Sequence, residues 1–404
     1  MNYLSNFYKI ITNKFYFKIL YLLISLSTIT ILRFIPGIRV INKLLIFWGM
    51  LLIFINILDM LIKRYLPSKF QIAMHIFLLI TLVFTLIKYP SIENLKLVII
   101  NAMILTLFFD VDVNKSKNKL IQELKVFSYI YCIFTFILSF ISLIIYFSKE
   151  TIWISETLNG EYLVYSFTTA FANENSLGIS AVISLIISIY LLISIKSKPA
   201  NNFLMLFNIM IQSIAMIISN SRSVYLIIAT FILFSLFMYL KNYMLRIALI
   251  ILPFLSVIFL FITNKASINN FLTGRDILWS TCFDVIKNNP IFGIGFTNLT
   301  NVLSEEKVLT LGRVHNIYIE LAATNGLIAL IVFIVILALI ILFIFKKFDL
   351  FHYKQLLSYN VLFALIISIM SINLVESSLV YIVSFISIIF WVISSYLVSI
   401  FLKE

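Results

Sequence analysis

Four residues stand out for the chemistry their types allow: Arg222, Arg275, Arg313 and His315. A guanidinium group grips two oxygens of a phosphate at once, so fixed arginines can stabilise a departing phosphate without a metal. An imidazole titrates near neutrality and suits removal of a proton from an attacking hydroxyl. Each also has a purely structural alternative. Arg222 suits an interfacial anchor, Arg275 an ion pair with Asp276 or a lipid phosphate, and His315 packing at a helix start. His75, His352, Cys132 and Cys282 are scattered with no metal-ligand spacing, so neither a metal nor another cofactor is expected.

The chain that must position these residues has the composition of a membrane protein. Of its 404 residues 62% are hydrophobic and 12% charged, and the mean hydropathy is +1.10. About a quarter charged is usual for a soluble domain. Apolar runs fall near 16–32, 44–62, 70–87, 93–109, 126–147, 176–195, 203–219, 223–240, 246–263, 326–345, 356–373 and 378–402. Runs of about 20 residues cross a bilayer, so the fold class is an all-α polytopic membrane protein of about twelve transmembrane helices. Lys9, Lys14 and Lys18 lead into the first run with no small-residue cleavage site, which reads as a retained helix.

The formal charge is +13, from 30 Lys and Arg against 17 Asp and Glu. With a cytoplasmic N-terminus and alternating spans, most basic residues fall inside and most acidic ones outside, as the positive-inside rule requires. The charge therefore encodes orientation and gives no reason to expect nucleic acid. Both termini are expected in the cytoplasm. The expected organisation is helices one to nine over 1–263, an extracytoplasmic catalytic loop over 264–325 containing short amphipathic helices, and three more helices over 326–404.

Only nine glycines occur in the chain. Gly274, Gly293, Gly295, Gly312 and Gly326 all lie in or beside the long outer loop, where φ > 0 or close approach to a ligand is expected. Within that loop Ile277, Leu278, Trp279, Phe283, Val285 and Ile286 have the spacing of an amphipathic helix at the membrane surface, ended by Lys287-Asn288-Asn289-Pro290. A tight turn follows over 290–296, and His315 and Ile319 suit a short helix leading into the tenth span. Asp59, inside the second run, is expected to pair with or reach towards nearby Lys63 and Arg64, and His75 is expected to be a hydrogen-bonded core residue.

The order of these motifs resembles the signature region of the bacterial O-antigen polymerase/ligase superfamily. The residues concerned are Gly274-Arg275 with Trp279, Asn289-Pro290 with Phe292-Gly293 and Gly295, and His315-Asn316 with Tyr318 and Glu320, followed by a span opened by Gly326. Ser221-Arg222-Ser223, the segment Phe171 to Asn175, and Glu376 fit as well, so the resemblance covers roughly 165–380. It implies a metal-independent glycosyltransferase using a polyprenyl-diphosphate-linked glycan, with His315, Arg222 and Arg275 catalytic. Arg313, Asn316, Tyr318, Asn175, Glu376, Gly293 and Gly295 are then expected at the substrate. The implied partners are the lipid-linked donor and acceptor, membrane lipids, and a chain-length regulator and flippase of the same pathway. The implied place is the bacterial cytoplasmic membrane, with the site on its outer face.

A polymerase of surface polysaccharide is the leading expectation. A ligase delivering finished glycan to lipid A core or a cell-wall polymer is the near alternative. Enrichment in Ile, Lys, Asn and Phe points to an AT-rich genome and tilts the reading towards capsule or exopolysaccharide. A transporter or flippase fits less well, because the apolar runs contain almost no Gly or Pro to break them, and transporter sites are built on broken helices. A membrane O-acyltransferase would place its histidine within or beside a span, together with a second polar residue.

Overall fold

A computed structural model describes residues 11–63, 68–158, 161–194, 199–240, 242–249, 251, 252, 255, 274–305, 313–349 and 353–403. The helices in chain order are α1 Lys14–Thr28, α2 Pro36–Lys63, α3 Lys69–Lys88, α4 Ile92–Met103, α5 Lys117–Ser148, α6 Glu174–Ser194, α7 Pro199–Ile218 and α8 Arg222–Tyr239. They continue with α9 Arg275–Asn288, α10 Phe296–Glu305, α11 Ile317–Asp349, α12 Tyr353–Ile372 and α13 Phe385–Phe401. Eleven of the expected apolar runs coincide with helices of this series, α4 being prolonged by a π-helical turn over Ile104–Phe108. The ninth is helical over 243–249, and most of the rest of it lies outside the described residues, as do 264–273 and Gly312.

Among the described residues seven helices are long and apolar enough to cross a membrane, with the apolar helices Leu357–Ile372 and Phe385–Phe401 shorter. Their outer faces are what a bilayer requires. Leu44, Phe47, Phe54 and Leu61 of α2 all stand exposed, a stripe that water would not tolerate on a stable monomer. The protein is an all-α polytopic membrane protein, to which the structure adds one small sheet. Strands β1 Ile152–Leu158 and β2 Glu161–Phe167 pair antiparallel between α5 and α6. Arg39 bonds Glu156 of this hairpin at 2.5 Å, and Arg33 lies over the Tyr165 ring.

Helix α13 is the axis of the bundle. Every residue from Phe385 to Phe401 is buried, against α1, α5, α11, α12 and the π-helical turn. A helix this apolar suits lipid and protein neighbours alike, and here it is the five elements packed around it that bury it. Beside it α5, α6 and α7 are joined by a closed polar network. Ser139 donates to Gln212 at 2.8 Å, Gln212 to Asn208 at 3.0 Å, and Asn208 to Ser188 at 2.7 Å and Ser184 at 3.2 Å, while Thr135 donates to Ser184 at 2.8 Å. All six side chains are buried, and in hydrocarbon such bonds hold helices together because no water competes for them.

The connections gather at two ends. The 110–116 segment, the start of α1 and the end of α13 meet at one, where Lys14 binds Asp110 at 2.8 Å and Lys115 binds Glu123 at 2.9 Å. The beginnings of α6, α8, α9 and α11 meet at the other. His75 is not in the core as expected. It is exposed on α3, its Nδ1 2.6 Å from the Gln71 carbonyl, because that face of α3 borders a cavity also lined by Asn56, Asp59 and Met60 of α2.

Candidate active site

Three helix starts carry the site. Arg222 is the first residue of α8 and Arg275 the first of α9, and His315 stands two residues before α11. The unpaired N–H groups and dipole of a helix N-terminus favour negative charge, and here two of them also bear a guanidinium. Asn220 (φ 46) precedes the Arg222 helix and His315 itself has φ 53, both left-handed. That conformation costs a residue with a β-carbon about 1–2 kcal/mol, and such strain gathers at functional sites.

Glu376, in the segment between α12 and α13, joins these starts. Its Oε2 is 3.3 Å from His315 Nδ1, its Oε1 is 3.7 Å from an Arg275 nitrogen, and Ser223 donates to Oε1 at 3.4 Å. Its backbone carbonyl, with that of Asn373, receives Ile317 N–H at 3.2 and 3.1 Å. Asn373, fully buried, also accepts from Ser378 N–H at 2.8 Å, which fixes the turn presenting Glu376. The carboxylate facing Arg275 is thus a distant one and not neighbouring Asp276. Arg275 is mostly buried, and its Nε has no hydrogen-bond partner among the described residues. Burial pulls its pKa below the usual guanidinium value, Glu376 opposing and the positive charge of Arg222 reinforcing the fall. Arg222 itself is exposed, between buried Ser221, which donates to Asn175 at 2.8 Å, and buried Ser223.

The other residues expected at the substrate serve the scaffold in this structure. Arg313 pairs with Glu320, a carboxylate only 1% exposed. Asn316 caps α11, accepting from Tyr318 N–H at 3.0 Å and Ile319 N–H at 3.1 Å, and the Tyr318 hydroxyl donates to the Met370 carbonyl at 3.2 Å. Gly293 and Gly295 have φ of 67 and 76, and a β-carbon on them would lie 2.5 Å from the Thr324 carbonyl and 2.6 Å from the Tyr89 ring. They let the 290–296 turn close onto α11 where that helix breaks at Gly326 (φ 82, ψ 171). The break frees backbone groups that the turn then satisfies: Ile294 N–H donates to Ala323 at 3.0 Å, Gly295 N–H to Thr324 at 2.9 Å, and Leu327 N–H to Pro290 at 2.7 Å.

Sequence reasoning passed over the residues that brace this corner. Asn94 accepts from Phe296 N–H at 2.9 Å and Thr297 N–H at 3.2 Å, capping α10 from another helix, and Asn325 bonds both Tyr89 and Tyr381. An asparagine inside an apolar run was the available signal.

Fold and site together define a polytopic membrane protein with a cationic, carboxylate-organised cluster at one end of its bundle. Residues 206–334 match the family model described as O-antigen ligase. The resemblance to the O-antigen polymerase/ligase superfamily is shown over this segment, which contains Arg222, Arg275, Arg313 and His315 while Asn175 and Glu376 lie outside it. A comparison with curated proteins finds no match.

Proposed function

We propose that the protein is a membrane glycosyltransferase that moves a glycan from a polyprenyl diphosphate to a sugar hydroxyl at the end of the bundle bearing Arg222, Arg275 and His315. The observation that carries this reading is the Arg275 guanidinium, set at a helix N-terminus with its buried Nε unsatisfied. A buried donor without an acceptor calls for an explanation, and at a helix N-terminus beside a second arginine an anionic ligand supplies one. As the bond between the anomeric carbon and the diphosphate oxygen breaks, the electron pair stays on that oxygen, and Arg275 and Arg222 stabilise the negative charge of the departing lipid diphosphate. His315 accepts the proton of the attacking hydroxyl as the new glycosidic bond forms. With Nδ1 donating to Glu376, Nε2 keeps the lone pair that this step needs. Guanidinium groups supply the charge stabilisation, so no metal is required.

Polymerisation of lipid-linked repeat units into surface polysaccharide is the leading form of this reaction, on the outer face of the cytoplasmic membrane with both chain termini inside. The ligase form, with a different acceptor, is favoured by the description of the matching family. Purified protein supplied with lipid-linked repeat units separates them. A ladder of lengthening chains marks a polymerase, and a single transfer to an added acceptor marks a ligase. Absence of both, with no lipid diphosphate released, rejects the glycosyltransferase.

A further inference from the structure

Arg275 and Trp279 are four residues apart on α9, one turn along the same face. The Trp279 indole Nε1 donates to the backbone carbonyl of Val314 at 3.0 Å, and the next residue is His315. His315 meets Glu376, and Glu376 returns to Arg275. These contacts close a ring in which the spacing of Arg275 from His315 is set twice, once by the carboxylate and once by the indole.

The two links differ in what happens when an anion arrives. The Arg275 contact with Glu376 is long, at 3.7 Å, and is made by the group that a diphosphate would engage. The Trp279 bond is made to the backbone carbonyl of buried Val314 and involves neither the guanidinium nor the carboxylate. Around it every residue of 313–316 is tied separately: Arg313 to Glu320, Val314 to Trp279, His315 to Glu376, and Asn316 to the first turn of α11. Leu278, on the same helix, packs with Val314 and Ala323. Such tethering from both sides is what holds His315 at φ 53.

We propose that Trp279 is a positioning residue that keeps the arginine-bearing helix in register with His315 once the donor has drawn Arg275 away from Glu376. This rests on the transferase reading. The test is Trp279→Phe, which keeps the ring and removes the N–H, combined with His315→Ala in a double-mutant cycle on the full-length protein, with lipid-linked repeat units as donor. Misplacement by about 1 Å can cost on the order of 100-fold, so kcat per folded molecule is expected to fall roughly 10- to 100-fold with KM little changed. The double variant is expected to be no slower than His315→Ala alone, because Trp279 acts through the histidine. Full kcat in Trp279→Phe, or a Trp279→Phe loss that persists undiminished on the His315→Ala background, overturns the proposal. If His315→Ala leaves no measurable rate, the split between kcat and KM decides. If Trp279→Phe fails to fold, benzothienylalanine at 279, isosteric with indole and lacking the donor, replaces it. A wild type without transfer activity rejects the transferase reading and this role with it. An active wild type matched by its variants rejects the role alone.

Discussion

His315 Nδ1 lies 3.3 Å from Oε2 of Glu376, although 61 residues separate them in the chain. One carboxylate therefore orients the imidazole while its other oxygen faces Arg275. Glu376→Gln retains an acceptor for Nδ1 and loses the charge. The expected result is a kcat lowered about 10-fold, against a loss on the order of 10²- to 10⁴-fold in His315→Ala, the usual worth of positioned acid–base catalysis. Steady-state rates of lipid diphosphate release check both. A Glu376→Gln enzyme as fast as wild type shows that the carboxylate does not orient the base.

Cys282 on α9 is a built-in reporter of the folded corner where α9 meets α11. It is fully buried, and burial, followed by the charge of Glu320, pushes its thiol up to about 12. At pH 8 on the order of one thiol in ten thousand is then the reactive thiolate. In a Cys132→Ser background, maleimide labelling is expected to be negligible in the folded protein and rapid in denaturant. Rapid labelling of the native protein shows that α9 does not rest on α11 as described.

The glycine pattern marks where sequence was legible and where it stopped. Glycines in a glycine-poor chain announced positive φ, and Gly274, Gly293, Gly295 and Gly326 all have it. What a β-carbon would strike at those positions is tertiary: Thr324 and Ile291 backbone, and the Tyr89 ring. These contacts give the glycines a packing reason that the sequence alone did not show. Arg275, His315 and Glu376 were readable from their residue types and from the motifs in which they stand. Their ring through Trp279 was not, since Val314 contributes only a carbonyl, which every residue has. The hairpin went unread, although Asn159-Gly160, a dipeptide favoured in tight two-residue connections, stands between two largely apolar segments. The centrality of α13 had no local signal, because lipid-facing and protein-facing helices are equally apolar.

Gly326→Ala follows from this geometry. Its φ of 82 and ψ of 171 fall in a region only glycine enters freely, and the new carbon would sit 2.0 Å from the Ile291 carbonyl oxygen. Destabilisation of about 3 kcal/mol or more is expected, from strain and overlap together. Thermal unfolding in detergent reads it, and an unchanged midpoint shows that the 290–296 turn does not close on the helix break.

Asn208→Leu tests the buried polar network between α5, α6 and α7. The substitution leaves Gln212, Ser184 and Ser188 each short of a partner. Interhelical hydrogen bonds in membranes contribute about 0.6 kcal/mol and at most about 1.7. A loss of about 1–2 kcal/mol is expected, with transfer activity unaltered per folded molecule because the network lies away from His315. A drop in kcat without loss of stability assigns the network to function instead.

Arg222→Lys and Arg275→Lys separate charge from shape. Both substitutions keep a positive charge at a helix N-terminus, and both lose the planar fork that grips two phosphate oxygens. Arg275 lies in a mostly buried place, where a single ammonium cannot replace the two-pronged grip of the guanidinium on the diphosphate. A loss on the order of 10²- to 10³-fold in kcat is expected, the scale of removing one fixed donor from a developing anion. Arg222 is exposed at its helix start, where a lysine can move to follow the anion, so a smaller loss of about 10-fold is expected together with steeper inhibition by salt. Equal losses in the two variants show that the arginines act as interchangeable counter-charges, and no loss in Arg275→Lys removes it from the diphosphate site.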